Sequence, residues 1–219
     1  MKKWDNVESV FAALNACVSY LVIRNYEGFF ESVLSDEHAD IDILCYKKDR
    51  TAIVKLLDAV PRLKEKYSIH YKIIVSDECI PIDIRVVGDG YYDSKWEEEM
   101  LRNRKYEPRG FFCMNDNDYF WSLLYHSLYH KGRLSAEYRD RLKELKPGLF
   151  PITDKDLECR LAQYMIENNY YYTVANDKYI WYSFTEVCRK RIHTYPLYRL
   201  KLFLLKCREF ACRVWHGEQ

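Results

Sequence analysis

The sequence predicts an α+β chain: a small mixed sheet flanked by helices, followed by a mainly helical C-terminal half. Three observations predict it. Helix-patterned and strand-patterned runs alternate over the first ninety residues. Gly88-Asp89-Gly90 then breaks the pattern. Beyond it, apolar residues recur mainly at helical spacing. No internal repeat or low-complexity linker separates the halves. The expected division is therefore a core over 1–93 and a helical region over 94–219 that packs on it and forms a cleft.

The elements follow in order. Asp5 to Val18 carries an Asp or Asn cap and apolar residues at Val10, Phe11, Leu14 and Val18, a helix. Tyr20 to Ile23 is a short apolar strand, and Arg24 to His38 is irregular. Ala39 to Cys45 reads as the second strand. Asp49 to Ala59 is a helix stopped by Pro61. Tyr67 to Val75 and Ile80 to Val87 flank Ser76-Asp77-Glu78, a hairpin. Helices are expected over Ser94 to Arg104, Asp118 to His130, Ser135 to Leu145 and Asp154 to Asn168, with a last one from Pro196.

The chemistry-bearing feature is Asp40-Ile41-Asp42-Ile43-Leu44. On a strand, residues i and i+2 share a face, so Asp40 and Asp42 point together, roughly 7 Å apart. Two like charges so placed form a solvated edge or a seat for a hard divalent cation. Asp83 adds to the second reading. It sits inside the apolar run Ile82 to Val87, and a carboxylate there needs a counter-charge or a metal. Pro81 is acceptable at that strand's start.

Composition narrows the classes. The chain has 219 residues, 48% hydrophobic, enough for a real core, and a formal charge of +1. That balance gives no strong nucleic-acid signal. Its eight cysteines are scattered without a Cys-x-x-Cys, and Cys207, Cys212 and His216 lack a fourth ligand and a zinc spacing. No apolar run approaches the roughly 18 residues that span a membrane, and the N-terminus lacks a signal-peptide core. A reducing, cytoplasmic setting is the expectation. The 20 tyrosines, most of them after Tyr91, read as amphipathic packing.

With Asp40-x-Asp42 on the second strand, Asp83 on a later one and Gly28 about a dozen residues upstream, the chain resembles the nucleotidyltransferase fold of the DNA polymerase β superfamily. Phe29 stands where that superfamily usually has Gly or Ser. Three further segments sharpen the match: Leu21-Val22-Ile23-Arg24-Asn25-Tyr26-Glu27, Gly88 to Asp93, and Tyr125 to Lys131. Together they resemble bacterial nucleotidyltransferase-like proteins of surface-polysaccharide biosynthesis, relatives in fold of the LicD and fukutin-related phosphotransferases. The resemblance implies a metal-dependent nucleotidyl or phospho-substituent transferase. Asp40, Asp42 and Asp83 would hold Mg²⁺ (or Mn²⁺), with a nucleotide-activated donor and a glycan or glycan-precursor acceptor. The alternatives are transfer to protein or RNA, or a catalytically degenerate regulatory or assembly module of the same fold.

The same resemblance makes Arg24, Asn25, Gly28, Arg85, His126, His130 and Lys131 candidates for substrate contact. Each has a plainer reading. Arg24 fits a phosphate or an ion pair with Glu27 or an aspartate. Arg85 shares a face with Asp83, and pairing with it is the preferred reading. His126 and His130 are four apart on one helix face, which suits phosphate contact or packing beside Tyr125 and Tyr129. Asp89 and Asp93 approach the cleft or serve as turn residues. Near the C-terminus, 196–215 shows an apolar arc with Arg199, Lys206 and Arg213 along one edge and Lys201 and Arg208 along the other. Such a stripe fits contact with the inner face of a membrane or docking on the protein's own core.

Overall fold

The computed structural model describes residues 2–26, 40–62 and 69–173. The Gly28-Phe29 loop and the helix expected from Pro196 lie outside them. The fold is α+β: one mixed sheet flanked by helices. Its strands are β1 (Lys3–Trp4), β2 (Tyr20–Val22), β3 (Ile41–Cys45), β4 (Val60–Pro61), β5 (His70–Val75), β6 (Glu78–Val86), β7 (Lys105–Glu107) and β8 (Phe111–Cys113). They lie in the order β1-β5-β6-β3-β2-β8-β7, with β4 paired to β5. The helices are α1 (Val7–Cys17), α2 (Arg50–Leu57), α3 (Ser94–Arg102), α4 (Asp116–Tyr125), α5 (Ala136–Leu145) and α6 (Asp154–Glu167). A π-helical turn, His126–His130, continues α4.

Local chemistry explains the helix starts. Asn6, Asp93, Asn115, Ser135 and Thr153 each accept a first-turn backbone N–H through the side chain. Such caps satisfy donors that a helix leaves orphaned. Asp93 thus takes the turn reading, and its second oxygen accepts from Tyr171 N at 3.0 Å. The β5–β6 hairpin forms as expected, with Ser76 and Asp77 at positive φ in its turn. Pro81 is the fourth residue of β6 rather than its first. Pairing of β6 with β3 begins only at Ile82, so the missing N–H falls outside that ladder.

The sequence does not predict the β7–β8 hairpin. β8 pairs in parallel with β2, and strands from both sides of residue 93 therefore share one sheet. All five residues of β3 are buried. Such a strand is covered on both faces, which is why its Asp42 is sequestered with its isoleucines. Behind it, the tyrosines pack as expected. Trp96 stacks on Tyr170 with centroids 5.3 Å apart, and Tyr125 stacks on Tyr172 at 5.7 Å. Among the described residues, no helix is long and apolar enough to cross a membrane.

Candidate metal centre

Register brings the carboxylates together. Asp42 on β3 is directly opposite Asp83 on β6, and Asp83 is directly opposite His70 on β5. Cross-strand partners share a face, so His70, Asp83 and Asp42 form one row across three central strands. Asp40 precedes β3 and adds a third carboxylate. Ligand oxygens of Asp40, Asp42 and Asp83 lie within 4.8 Å of one another. The sequence reading of these three as one cluster is what the structure places.

Asp42 is 1% exposed and Asp83 6% exposed. Burial raises the Asp42 carboxyl to about 6. Arg24 opposes that rise, and the neighbouring carboxylates of Asp40 and Asp83 add to it. Arg24 Nη2 lies 2.7 Å from Asp42 Oδ2. The contact is an ion pair without hydrogen-bond alignment, and neither Asp42 oxygen has a hydrogen-bond partner among the described residues. Buried carboxylate oxygens without donors are uncommon. A hard cation with oxygen ligands satisfies them, so the residues present fit a divalent metal. Asp83 differs, because His70 Nδ1 meets its Oδ1 at 2.7 Å. Sequence reasoning missed His70; only the β5–β6 register places it there.

The remaining candidates are placed differently from one another. Arg24 is brought to the row and takes the ion-pair reading, with Asp42 as partner. Arg85 pairs with Asp89 at 3.3 Å rather than with Asp83, and its guanidinium lies 3.6 Å from the Tyr91 ring centroid. Proximity on a strand face loses here to the Gly88–Gly90 turn, which swings Asp89 back over β6; both glycines have positive φ. Asn25 adopts φ 60, which Asn tolerates, and its Oδ1 accepts from Arg141 Nη1 at 3.0 Å. Lys131 is exposed beyond the π-helical turn. Gly28 lies outside the described residues.

His126 and His130 meet each other, Nδ1 to Nδ1 at 3.1 Å, and Tyr91 supplies their link to the carboxylates. Its hydroxyl contacts His126 Nδ1 at 2.8 Å and accepts from Arg24 Nη1. The Tyr91 ring centroid is 4.1 Å from that of His130. Tyr91 is the second residue that sequence reasoning did not single out, although it sits in the Gly-Asp-Gly-Tyr-Tyr-Asp segment. Glu97 holds that segment in place. It is fully buried, and its oxygens accept from Gly88 N at 2.7 Å and Tyr92 N at 3.1 Å. Burial still pushes its carboxyl up to about 8.

Neither a family model nor a curated protein matches the sequence. The chain is similar to two solved structures of ANT(2'')-Ia. One is a solution structure of that antibiotic-resistance factor, 15% identical, covering 73% of this chain and 89% of that one at a TM-score of 0.39. The other is a crystal structure in complex with adenylyl-2''-tobramycin, 14% identical, covering 72% and 94% at a TM-score of 0.39.

Proposed function

We propose that the protein is a Mg²⁺- or Mn²⁺-dependent transferase that moves a nucleotidyl or phospho-substituted group from an activated donor to a hydroxyl on a cell-surface polysaccharide or its precursor. One observation carries the reading. Three carboxylates converge from β3, the residue before it and β6, and the most buried of them, Asp42, has no hydrogen-bond donor among the described residues. A bound divalent ion would neutralise the donor's phosphates and hold the reacting oxygens in line. In nucleotidyl transfer, the acceptor hydroxyl oxygen bonds to the α-phosphorus. The bond from that phosphorus to the bridging oxygen breaks, pyrophosphate leaves, and the hydroxyl proton passes to solvent.

The polysaccharide assignment rests on the three segments quoted for the resemblance. They meet in space through Arg24, Tyr91 and His126. The test is a panel of nucleoside triphosphates and CDP- and UDP-linked donors with Mg²⁺ and glycan acceptors. Transfer should occur in the wild type and vanish in Asp42→Asn and Asp83→Asn while the fold persists. Full turnover in both variants would sink the assignment.

A second reading has its own support. Arg24 already pairs with Asp42, and His70 Nδ1 already meets Asp83 Oδ1. That arrangement suits a catalytically degenerate regulatory or assembly module of the same fold. Calorimetry with Mn²⁺ separates the two, because a degenerate module shows no metal-dependent nucleotide binding.

A further inference from the structure

Hydrogen-bond bookkeeping around Tyr91 fixes more than its contacts. A guanidinium has only donors, so the Tyr91 hydroxyl accepts from Arg24 Nη1. The hydroxyl's one proton then goes to its other partner, His126 Nδ1. His126 Nδ1 is therefore an acceptor, and its proton resides on Nε2. His130 Nδ1 lies beside the same nitrogen, whose single lone pair is already taken, and with no partner at Nε2 its Nδ1 is the nitrogen that donates to the Tyr91 backbone carbonyl. His130 thus carries its proton on Nδ1 and leaves Nε2 bare. That Nε2 is buried with no hydrogen-bond partner among the described residues.

Neither ring carries charge. Burial, then Arg24 and His130, hold His126 far below the ordinary imidazole range. Burial, with Arg24 and Arg85, pushes His130 down to about 3. Neutral buried imidazoles bring no charge to a phosphate. What they supply is direction: Tyr91 donates to His126, His130 donates to the Tyr91 backbone, and Arg24 donates to the Tyr91 hydroxyl. The backbone is shaped for this. Lys131 N reaches back five residues to His126 O at 2.9 Å, and such π-helical turns concentrate at functional sites.

We propose that Tyr91, His126 and His130 are positioning residues, a neutral relay that fixes the Arg24 guanidinium for contact with donor phosphates. This rests on the transfer reading above. Arg24 has two anchors, Tyr91 through Nη1 and Asp42 through Nη2. One anchor lets a planar fork rotate; two set its plane, and a set plane is what bidentate phosphate contact requires. The relay supplies the anchor that survives when a metal claims Asp42.

Two measurements on the full chain test the proposal. Nitrogen-15 NMR of the imidazoles should show His126 protonated on Nε2 and His130 on Nδ1, both neutral from pH 5 to 8. A proton on His126 Nδ1 overturns the relay regardless of any activity. Calorimetry with Mg²⁺ and inorganic tripolyphosphate reads the phosphate site directly. Tyr91→Phe keeps the ring under Arg85 and removes only the hydroxyl, and it should weaken tripolyphosphate binding on the order of tenfold. His126→Asn retains an acceptor oxygen and should bind within about threefold of the wild type, whereas His126→Leu should match Tyr91→Phe. A merely structural role would not separate Asn from Leu at equal melting temperature. Unchanged binding in Tyr91→Phe overturns the positioning role alone. No tripolyphosphate binding by the wild type, with the expected tautomers present, overturns the transfer reading and the positioning role with it.

Discussion

Two buried polar regions of this protein differ in how completely they are matched. Around α3 and α4, Trp96 and Tyr92 bring polar atoms into an aromatic block with partners already in place. Trp96 Nε1 donates to Asp118 at 3.1 Å, and the Tyr92 hydroxyl donates to the Ser122 carbonyl at 3.3 Å. In the row on β3 and β6, Asp42 lacks any hydrogen-bond donor among the described residues, and Arg85 Nε and His130 Nε2 nearby are likewise unmatched among them. Both regions are buried, so exposure does not explain the difference. Matched burial makes a core rigid and specific, whereas unmatched burial is a cost that a fold retains where a ligand completes the pattern.

The contrast can be broken from either side. The largest expected effect is in the aromatic block: Trp96→Ala should cost ~3–5 kcal/mol in urea unfolding. It should leave Mn²⁺ binding unchanged, since the carboxylates lie on other elements. Arg24→Ala strands a buried carboxylate and should cost ~3–4 kcal/mol, against a smaller loss for Arg24→Lys. A loss below ~1 kcal/mol would mean that Asp42 finds water and that the row is not dry.

Metal supplies the next test. At a hundredfold excess over its dissociation constant, Mn²⁺ should stabilise the wild type by ~2.7 kcal/mol. Asp42→Asn and Asp83→Asn should show little of that gain, and Glu97→Gln should show all of it. The pH dependence of Glu97 follows from its raised carboxyl. Between the ordinary Glu value of 4.5 and about 8, the folded state holds a proton that the unfolded state has released. The unfolded state binds fewer protons there, so stability falls as pH rises through this window and levels off above it. Urea midpoints from pH 5 to 8.5 should decline more steeply in the wild type than in Glu97→Gln, by more than ~1 kcal/mol across the range. The smallest effect belongs to the sheet edge. Tyr106 is 57% exposed and meets Phe112 across the β7–β8 pair, so Tyr106→Ala should cost only ~0.2–1 kcal/mol.

The β7–β8 hairpin shows why part of the fold was not legible. Its strands have three residues each, too short for period-two alternation to register. The turn signal was present in Pro108-Arg109-Gly110, with Gly110 at φ 104. The strands themselves are stabilised by β2, a partner some ninety residues away in sequence. His70 and Tyr91 were missed for the same kind of reason. His70 lies in no local motif and Tyr91 is one residue of a six-residue segment, and each becomes notable only through what another element brings to it.

By itself, the sequence determined the elements whose causes are local. Capping residues start the helices, and Gly88 ends the strand run that closes at Val86. Alternation of Asp with Ile makes Asp40-Ile41-Asp42-Ile43 a strand with its carboxylates on one face. Tertiary structure alone decided which charges meet. A one-residue slip of β6 against β3 would send Asp83 to the opposite face and dissolve the cluster. The Gly88–Gly90 turn gave Arg85 to Asp89 and set Tyr91 between Arg24 and the histidines. Such pairings depend on register and loop path, which are set by packing over the whole sheet. No window of neighbouring residues contains that information.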